Sequence, residues 1–68
     1  MSLIGNQLPE GLGFRLALDM DAMKNFVNLS DQEKEQMVDY IKGSTTGDEA
    51  KNRVNEVVRN LHKGGSFQ

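Results

Sequence analysis

The feature that most constrains the fold is a stripe of apolar residues in the last third of the chain. Five of them recur at intervals of three or four, with one adjacent pair, which is the spacing of one face of an α-helix. They are Ala50, Val54, Val57, Val58 and Leu61. At 100° per residue the five positions span an arc of about 100°. The stripe therefore predicts a helix with a single buried face.

Capping signals mark where this helix begins and ends. Thr46 followed by Glu49 is the pattern of a capping box, in which each side chain accepts a hydrogen bond from the backbone amide of the other residue. Gly64 suits a left-handed turn after the last helical residues. The sequence therefore predicts a helix over about 47–63.

Comparable signals predict three shorter helices upstream. Ser30 with Glu33 repeats the capping-box pattern. Asp19 is a residue type preferred at the N-cap, and Pro9 is a residue type preferred at the start of a helix. The predicted helices run over about 9–18, 20–28 and 31–42.

The predicted fold is all-α, a compact bundle of three to four short helices. No stretch alternates apolar and polar residues as a half-buried strand does. At 68 residues the chain supports one domain with one core. We expect this domain to cover 9–63, with flexible segments at 1–8 and 64–68. The apolar stripe should pack against Met37, Ile41 and Phe26, with Val57 among the most buried residues.

Composition limits the classes of function. Eight Lys plus Arg against ten Asp plus Glu give a net charge of −2, and the mixed signs disfavour a binder of nucleic acid or anionic membranes. No apolar run approaches the ~20 residues of a membrane span, and no secretory signal pattern follows Met1. The chain has no cysteine, which fits a reducing compartment. We therefore expect a cytoplasmic protein without a membrane partner.

The sequence contains no recognisable catalytic or metal-binding pattern. His62 is the only histidine, whereas zinc needs three or four ligands that are mostly nitrogen or sulfur. Asp19 and Asp21 resemble the first two ligands of a calcium loop, but the later glycine and glutamate of that loop are missing. We expect them to be a helix cap and a first-turn acid. The protein is therefore predicted not to be an enzyme and to bind no cofactor or metal.

A nucleic-acid-binding domain is an alternative, because a short turn joins the last two predicted helices. Residues 47–63 would then form the recognition helix, whose first turn faces the groove of the nucleic acid. That turn carries Asp48 and Glu49, which phosphates repel. We therefore expect no nucleic acid. A part of a small enzyme is the remaining alternative.

The first predicted helix has apolar residues on two opposite sides. On one side are Leu8, Leu12, Leu16 and Met20, and on the other are Phe14 and Leu18. A domain of this size has one core to cover a helix, so one apolar side stays partly exposed and predicts a self-association or partner surface within 3–20. The alternative is that Gly11 and Gly13 bend or shorten the helix until both sides are covered.

A family resemblance rests on positions spread over 26–61. They are Phe26, Leu29, Ser30, Val38, Tyr40, Ile41, Arg53, Val54 and Leu61, followed by Gly64. In these positions the chain resembles the C-terminal helical segment of the bacteriocin-protection, YdeI/OmpD-associated family. The matching positions align without a gap. The resemblance implies a stand-alone form of this helical module, similar to small clostridial proteins with a Leu-Pro-Glu-Gly stretch like that at 8–11. The family's label reflects a protection phenotype and not a known reaction, so the resemblance implies a fold and no particular function.

The family also has a basic motif that this chain keeps only in part. Where the family shows a threonine and an arginine, the chain has Glu49 and Ala50, and where the family shows an alanine and a lysine, it has Ser44 and Thr45. If the motif binds a ligand in the family, Arg53 is the residue that would keep this role.

These observations predict a protein-interaction module without catalytic activity. The expected partner is another protein or a second copy in a homodimer. The residues predicted for the interaction surface are Leu8, Leu12, Phe14, Leu18 and Arg53.

Overall fold

Four α-helices account for the regular structure of residues 8–64, the part of the chain that the computed structural model describes. In chain order they are α1 (Glu10–Ala17), α2 (Met20–Val27), α3 (Asp31–Lys42) and α4 (Gly47–His62). No strand occurs within these residues. The all-α prediction is confirmed, and every predicted helix boundary lies within one residue of the observed one. The predicted flexible segments at 1–8 and 64–68 lie outside the described residues, except for Leu8 and Gly64.

Side-chain caps begin α2 and α3 as the sequence predicts. Asp19 Oδ1 accepts a hydrogen bond from the backbone N–H of Ala22 at 3.1 Å. Ser30 and Glu33 form the full capping box, since Ser30 Oγ accepts from the N–H of Glu33 at 3.1 Å and the Glu33 carboxylate accepts from the N–H of Ser30 at 3.0 Å. Each cap satisfies backbone donors that have no partner within the helix.

The cap of α4 differs in part from the predicted capping box. Thr46 Oγ1 accepts a hydrogen bond from the N–H of Glu49 at 3.0 Å, as expected. The Glu49 carboxylate, however, accepts from the N–H and the hydroxyl of Thr45, both at 2.9 Å. Its second oxygen lies 2.7 Å from Arg53, one turn later in the helix. The Glu49 carboxylate therefore links Thr45, in the turn before α4, to Arg53. It does not accept the hydrogen bond from the N-cap residue Thr46 that a capping box requires.

Gly64 ends α4 in the left-handed conformation that the sequence predicts. Its φ is 83°, a region that costs a residue with a Cβ more than it costs glycine. The Gly64 N–H donates to the Leu61 carbonyl at 2.9 Å. The chain therefore leaves the helix with one of the terminal carbonyls satisfied.

Helix α4 is the centre of the packing, because it contacts each of the other three helices. Its residues Val54, Val57, Val58 and Leu61 share one core with Phe26, Met37, Val38 and Ile41. Val57 is 0 % exposed, as predicted. Ala50, the first residue of the predicted stripe, is half-buried.

Helix α1 buries one of its two apolar sides and leaves the other exposed. Leu12 and Leu16 are 0 % and 1 % exposed, because α1 lies against α4 and α2 and these leucines complete the core. The prediction that Leu12 belongs to an interaction surface is therefore wrong. On the opposite side, Phe14 and Leu18 are 65 % and 69 % exposed. The alternative in which the glycines of α1 let both sides be covered is not what the structure shows.

Two more residues of the predicted α1 stripe lie elsewhere. Leu8 precedes α1 and is partly buried against the core. Met20 begins α2 and is exposed, since the chain turns between the two helices. None of the helices in 8–64 is both long enough and apolar enough to cross a membrane.

Candidate functional site

A groove with a volume of about 520 Å³ lies between α1 and the first half of α4. The α1 side consists of Pro9, Gly11, Phe14 and Arg15, and the α4 side consists of Gly47, Ala50, Lys51, Val54 and Asn55. Ile41, near the end of α3, lines it as well. Small-molecule and peptide sites of proteins have volumes of this order.

Small residues line the groove on both sides, Gly11 on α1 and Gly47 and Ala50 on α4. A Cβ added to Gly11 would lie 3.9 Å from Val54 Cγ2, and one added to Gly47 would meet nothing within 4 Å. Ala50 contributes only a methyl group. Longer side chains at these three positions would fill the space between α1 and α4, as they do in a close-packed core.

Phe14 is the largest apolar side chain at the groove. It is 65 % exposed, although an aromatic ring is among the most favourable side chains to bury. It lies on the same side of α1 as Leu18, one turn away, so the apolar surface continues beyond the groove. This surface is available to a binding partner.

The charges at the groove are of one sign. Arg15 and Lys51 line it, and no described lining side chain is a carboxylate. Neither cation forms an ion pair with a side chain of the described residues. The groove is therefore a cationic region on a chain whose net charge is −2.

Asn55 is the polar residue of the groove that lacks a partner. Its Oδ1 atom is buried and accepts no hydrogen bond, and it is the one such side-chain atom in the described part of the chain. A buried polar atom left unpaired costs about 1–3 kcal/mol. Such atoms are uncommon in folded proteins, so this one calls for an explanation.

A second group of polar side chains joins the end of α4 to the start of α2. His62 Nδ1 lies 3.0 Å from Asp19 Oδ2, and the candidate ligand atoms of Asp19, Asp21 and His62 lie within 4.8 Å of one another. The hydrogen bond to Asp19 raises the pKa of His62. The N–H of Ala22, followed by His62, lowers the pKa of Asp19. The pair therefore favours a charged imidazolium next to a charged carboxylate.

This second group has a structural explanation. Asp19 caps α2 through Ala22 and binds His62 with the same carboxylate. The cap is predictable from the sequence, but the contact with His62 is not, because the two residues are far apart in the chain and no local pattern signals it. Asp19 and His62 thus hold two helix ends together.

Arg53 connects α4 to the end of α3. Its Nη1 donates to the Tyr40 carbonyl at 2.6 Å, its Nη2 donates to Glu49 at 2.7 Å, and its guanidinium carbon lies 4.6 Å from the centre of the Tyr40 ring. Tyr40 also donates its hydroxyl to Glu56 at 2.6 Å, which raises the pKa of Tyr40. Arg53 does not line the groove, and both of its Nη atoms donate hydrogen bonds within the chain.

The predicted surface residues therefore separate in the structure. Phe14 lines the groove, Leu18 lies exposed beyond it, and Leu12 is in the core. Lys51 and Asn55 complete the site from α4 and are not among the residues predicted from the sequence. The small residues Gly11, Gly47 and Ala50 also line the groove, and no local pattern in the sequence signals that they lie together.

Comparisons with known proteins add no assignment. The chain matches no protein-family model, no curated protein and no solved structure. The resemblance to the bacteriocin-protection, YdeI/OmpD-associated family stays a prediction. The function therefore rests on the geometry of the groove and its neighbours.

Proposed function

We propose that the protein is a small helical interaction module that binds another protein through the groove between α1 and α4. The observation that carries this proposal is the position of Phe14, a largely exposed aromatic side chain on the wall of an apolar groove of about 520 Å³. Exposed apolar surface of this kind is typical of interfaces. Aromatic residues beside a pocket often contribute most of the binding free energy.

The chemistry of the groove supports binding more than catalysis. Its described polar side chains are those of Arg15, Lys51 and Asn55. General acid–base catalysis most often uses histidine or a carboxylate, and neither is among the described side chains that line the groove. The absence of cysteine from the chain supports a site of action in the reducing cytoplasm.

Peptide selection with a matched pair of variants tests this function. A peptide library displayed on phage is selected against the wild type, against Phe14→Ser and against Val27→Ser. Val27 is 60 % exposed on α2, outside the groove, so its variant removes similar apolar surface elsewhere. We expect peptides that bind the wild type and Val27→Ser but not Phe14→Ser. If no peptide is enriched, or if all three proteins enrich the same peptides, the proposed function is wrong.

Self-association is a separate outcome that light scattering after size exclusion detects. A dimer that dissociates on dilution and is absent in Phe14→Ser would show that a second copy occupies the surface. A monomer at all concentrations leaves the groove available to a different protein, which is the result we expect.

A further inference from the structure

We infer that the occupant of the groove is an acidic amphipathic helix of a partner protein, which places apolar side chains against Phe14 and carboxylates near Arg15 and Lys51. This inference rests on the proposed function and adds to it the chemistry of the partner. Three observations carry it: the length of the groove, the charges that line it and the unpaired amide of Asn55.

The shape of the groove favours a helix. It follows α4 from Gly47 to Asn55, a rise of about 12 Å at 1.5 Å per residue. Two turns of a docked helix cover the same distance, and they carry apolar side chains at positions i, i+4 and i+7 on one face. The described residues contain no strand whose edge could pair with an extended peptide. Recognition must therefore come from side chains in a groove.

The charges at the groove select an acidic occupant. Arg15 and Lys51 have no ion-pair partner among the described side chains, and carboxylates on the occupant would supply one for each. A basic segment would place like charges next to these two residues, which disfavours binding. Asp48 and Glu49 begin the same helix but do not line the groove, and Glu49 is already engaged by Arg53.

Asn55 adds a requirement for a hydrogen-bond donor. Its Oδ1 atom has no partner in the described structure, and the residue lines the groove. We expect the amide to turn on binding, so that this buried oxygen accepts from a donor on the occupant, such as an amide in the first turn of a docked helix. Binding then removes the cost of the unpaired atom.

A second copy of this chain fits the groove less well. The exposed acids of α3, among them Asp31 and Glu35, have no large exposed apolar residue beside them on that helix. The exposed pair Met20 and Val27 of α2 is accompanied by one cation, Lys24, and one exposed carboxylate, Asp21, whose charges balance. Neither face combines apolar anchors with an excess of carboxylates, so we assign the groove to a different protein.

Three peptide libraries of one design test the inference on the full chain. Each displays helical peptides of about twelve residues with apolar positions at i, i+4 and i+7. The remaining positions are Asp and Glu in the first library, Asn and Gln in the second, and Lys and Arg in the third. We expect selection to enrich the acidic library. Amide chemical shifts of the labelled protein should then change along α1 and the first half of α4.

Charge variants provide the quantitative measurement. Arg15→Gln combined with Lys51→Gln should weaken binding of the enriched acidic peptide by roughly threefold to tenfold, and added salt should weaken the wild-type complex as well. The matched control is Lys24→Gln combined with Arg59→Gln, which removes one lysine and one arginine that are exposed outside the groove. This control should bind the acidic peptide as the wild type does.

The outcomes separate the inference from the function on which it rests. The inference is wrong if the neutral or basic library is enriched as strongly as the acidic one. It is also wrong if the charge variant in the groove and its control lose the same affinity. In both cases the proposed function as an interaction module is unaffected. Changes in amide chemical shift that are confined to α2 and α3 also overturn the inference, because they place the peptide outside the groove. If neither these three libraries nor the phage-displayed library that tests the proposed function enriches a peptide, both proposals fail.

Discussion

His62 and Asp19 are 43 residues apart in the chain, yet His62 Nδ1 lies 3.0 Å from Asp19 Oδ2. The contact joins the last residue of α4 to the N-cap of α2. Each partner changes the pKa of the other in the direction that favours the charged pair. The stability of the fold should therefore depend on pH through this pair.

The sign of that dependence follows from the two pKa shifts. The pKa of His62 is raised above its ordinary 6.5, so its contribution is complete below that value and is lost as the pH rises through the raised pKa. The pKa of Asp19 is lowered below its ordinary 3.8, so its contribution is complete above that value and is lost at lower pH. The pair should therefore stabilise the protein most between pH 3.8 and 6.5.

We expect His62→Gln to lower the Tm more at about pH 5.5 than at about pH 8.5, as measured by circular dichroism. Asp19→Asn is the control, because asparagine keeps the N-cap of α2 but removes the charge. In an Asp19→Asn background, the effect of His62→Gln should depend much less on pH, and the charge of Asp21, which also raises the pKa of His62, should account for the remainder. A pH dependence of unchanged size in that background would assign the effect to Asp21 or to the C-terminal dipole of α4 and would contradict the prediction.

Replacing Val57 with aspartate should prevent folding. Val57 is fully buried in the core, and an unpaired charge at such a position costs several kilocalories per mole, comparable to the about 5 kcal/mol at the low end of domain stability. The circular dichroism of Val57→Asp should show no cooperative melt. Asn60→Asp places the same charge on an exposed position of α4 and should melt nearly as the wild type does. A Val57→Asp protein with an unchanged melt would refute the position of α4 in the core.

Even a conservative substitution of Arg53 should destabilise the protein. Lysine has no planar guanidinium to reach both the Tyr40 carbonyl and Glu49 while it covers the Tyr40 ring, and the structure shows all three contacts. We expect Arg53→Lys to lower the Tm by about 5 °C, the effect of losing one net hydrogen bond in a domain of this size. Arg59→Lys, at an exposed position of the same helix, should have little effect. Equal Tm values for the two variants would count against the proposed role of Arg53.

Asn55→Leu should stabilise the protein and weaken its binding. Leucine removes the unpaired Oδ1 atom and adds apolar contacts, so the Tm should rise by about 5 °C. The same change removes the acceptor proposed for the occupant, and the affinity for the selected acidic peptide should fall. Asn52→Leu, at an exposed position of α4 outside the groove, should change neither quantity. A lower Tm for Asn55→Leu would show that the amide is needed for folding.

The features that could be predicted from the sequence are those with local signals. Ser30 and Glu33 are three residues apart, so the start of α3 can be predicted without any tertiary contact. The spacing of the stripe that contains Val57 likewise identifies the buried face of α4. These features depend on the geometry of one helix alone.

The remaining features depend on how the helices pack. Periodicity shows that α1 has two apolar sides, but only its contact with α4 and α2 decides that Leu12 is buried and Phe14 is exposed. The groove depends on side chains that are missing at Gly11 and Gly47, and a missing side chain has no periodic signal. The contact between Asp19 and His62 requires the whole fold.

The central position of α4 also affects how a newly made chain acquires its structure. The ribosome releases α1, α2 and α3 before α4, which contacts all three. Until Gly47–His62 emerges, core side chains such as Leu12, Phe26 and Met37 lack the surface that covers them. Folding must therefore wait until α4 has been translated. A chain interrupted before residue 47 would expose these apolar side chains to chaperones and proteases.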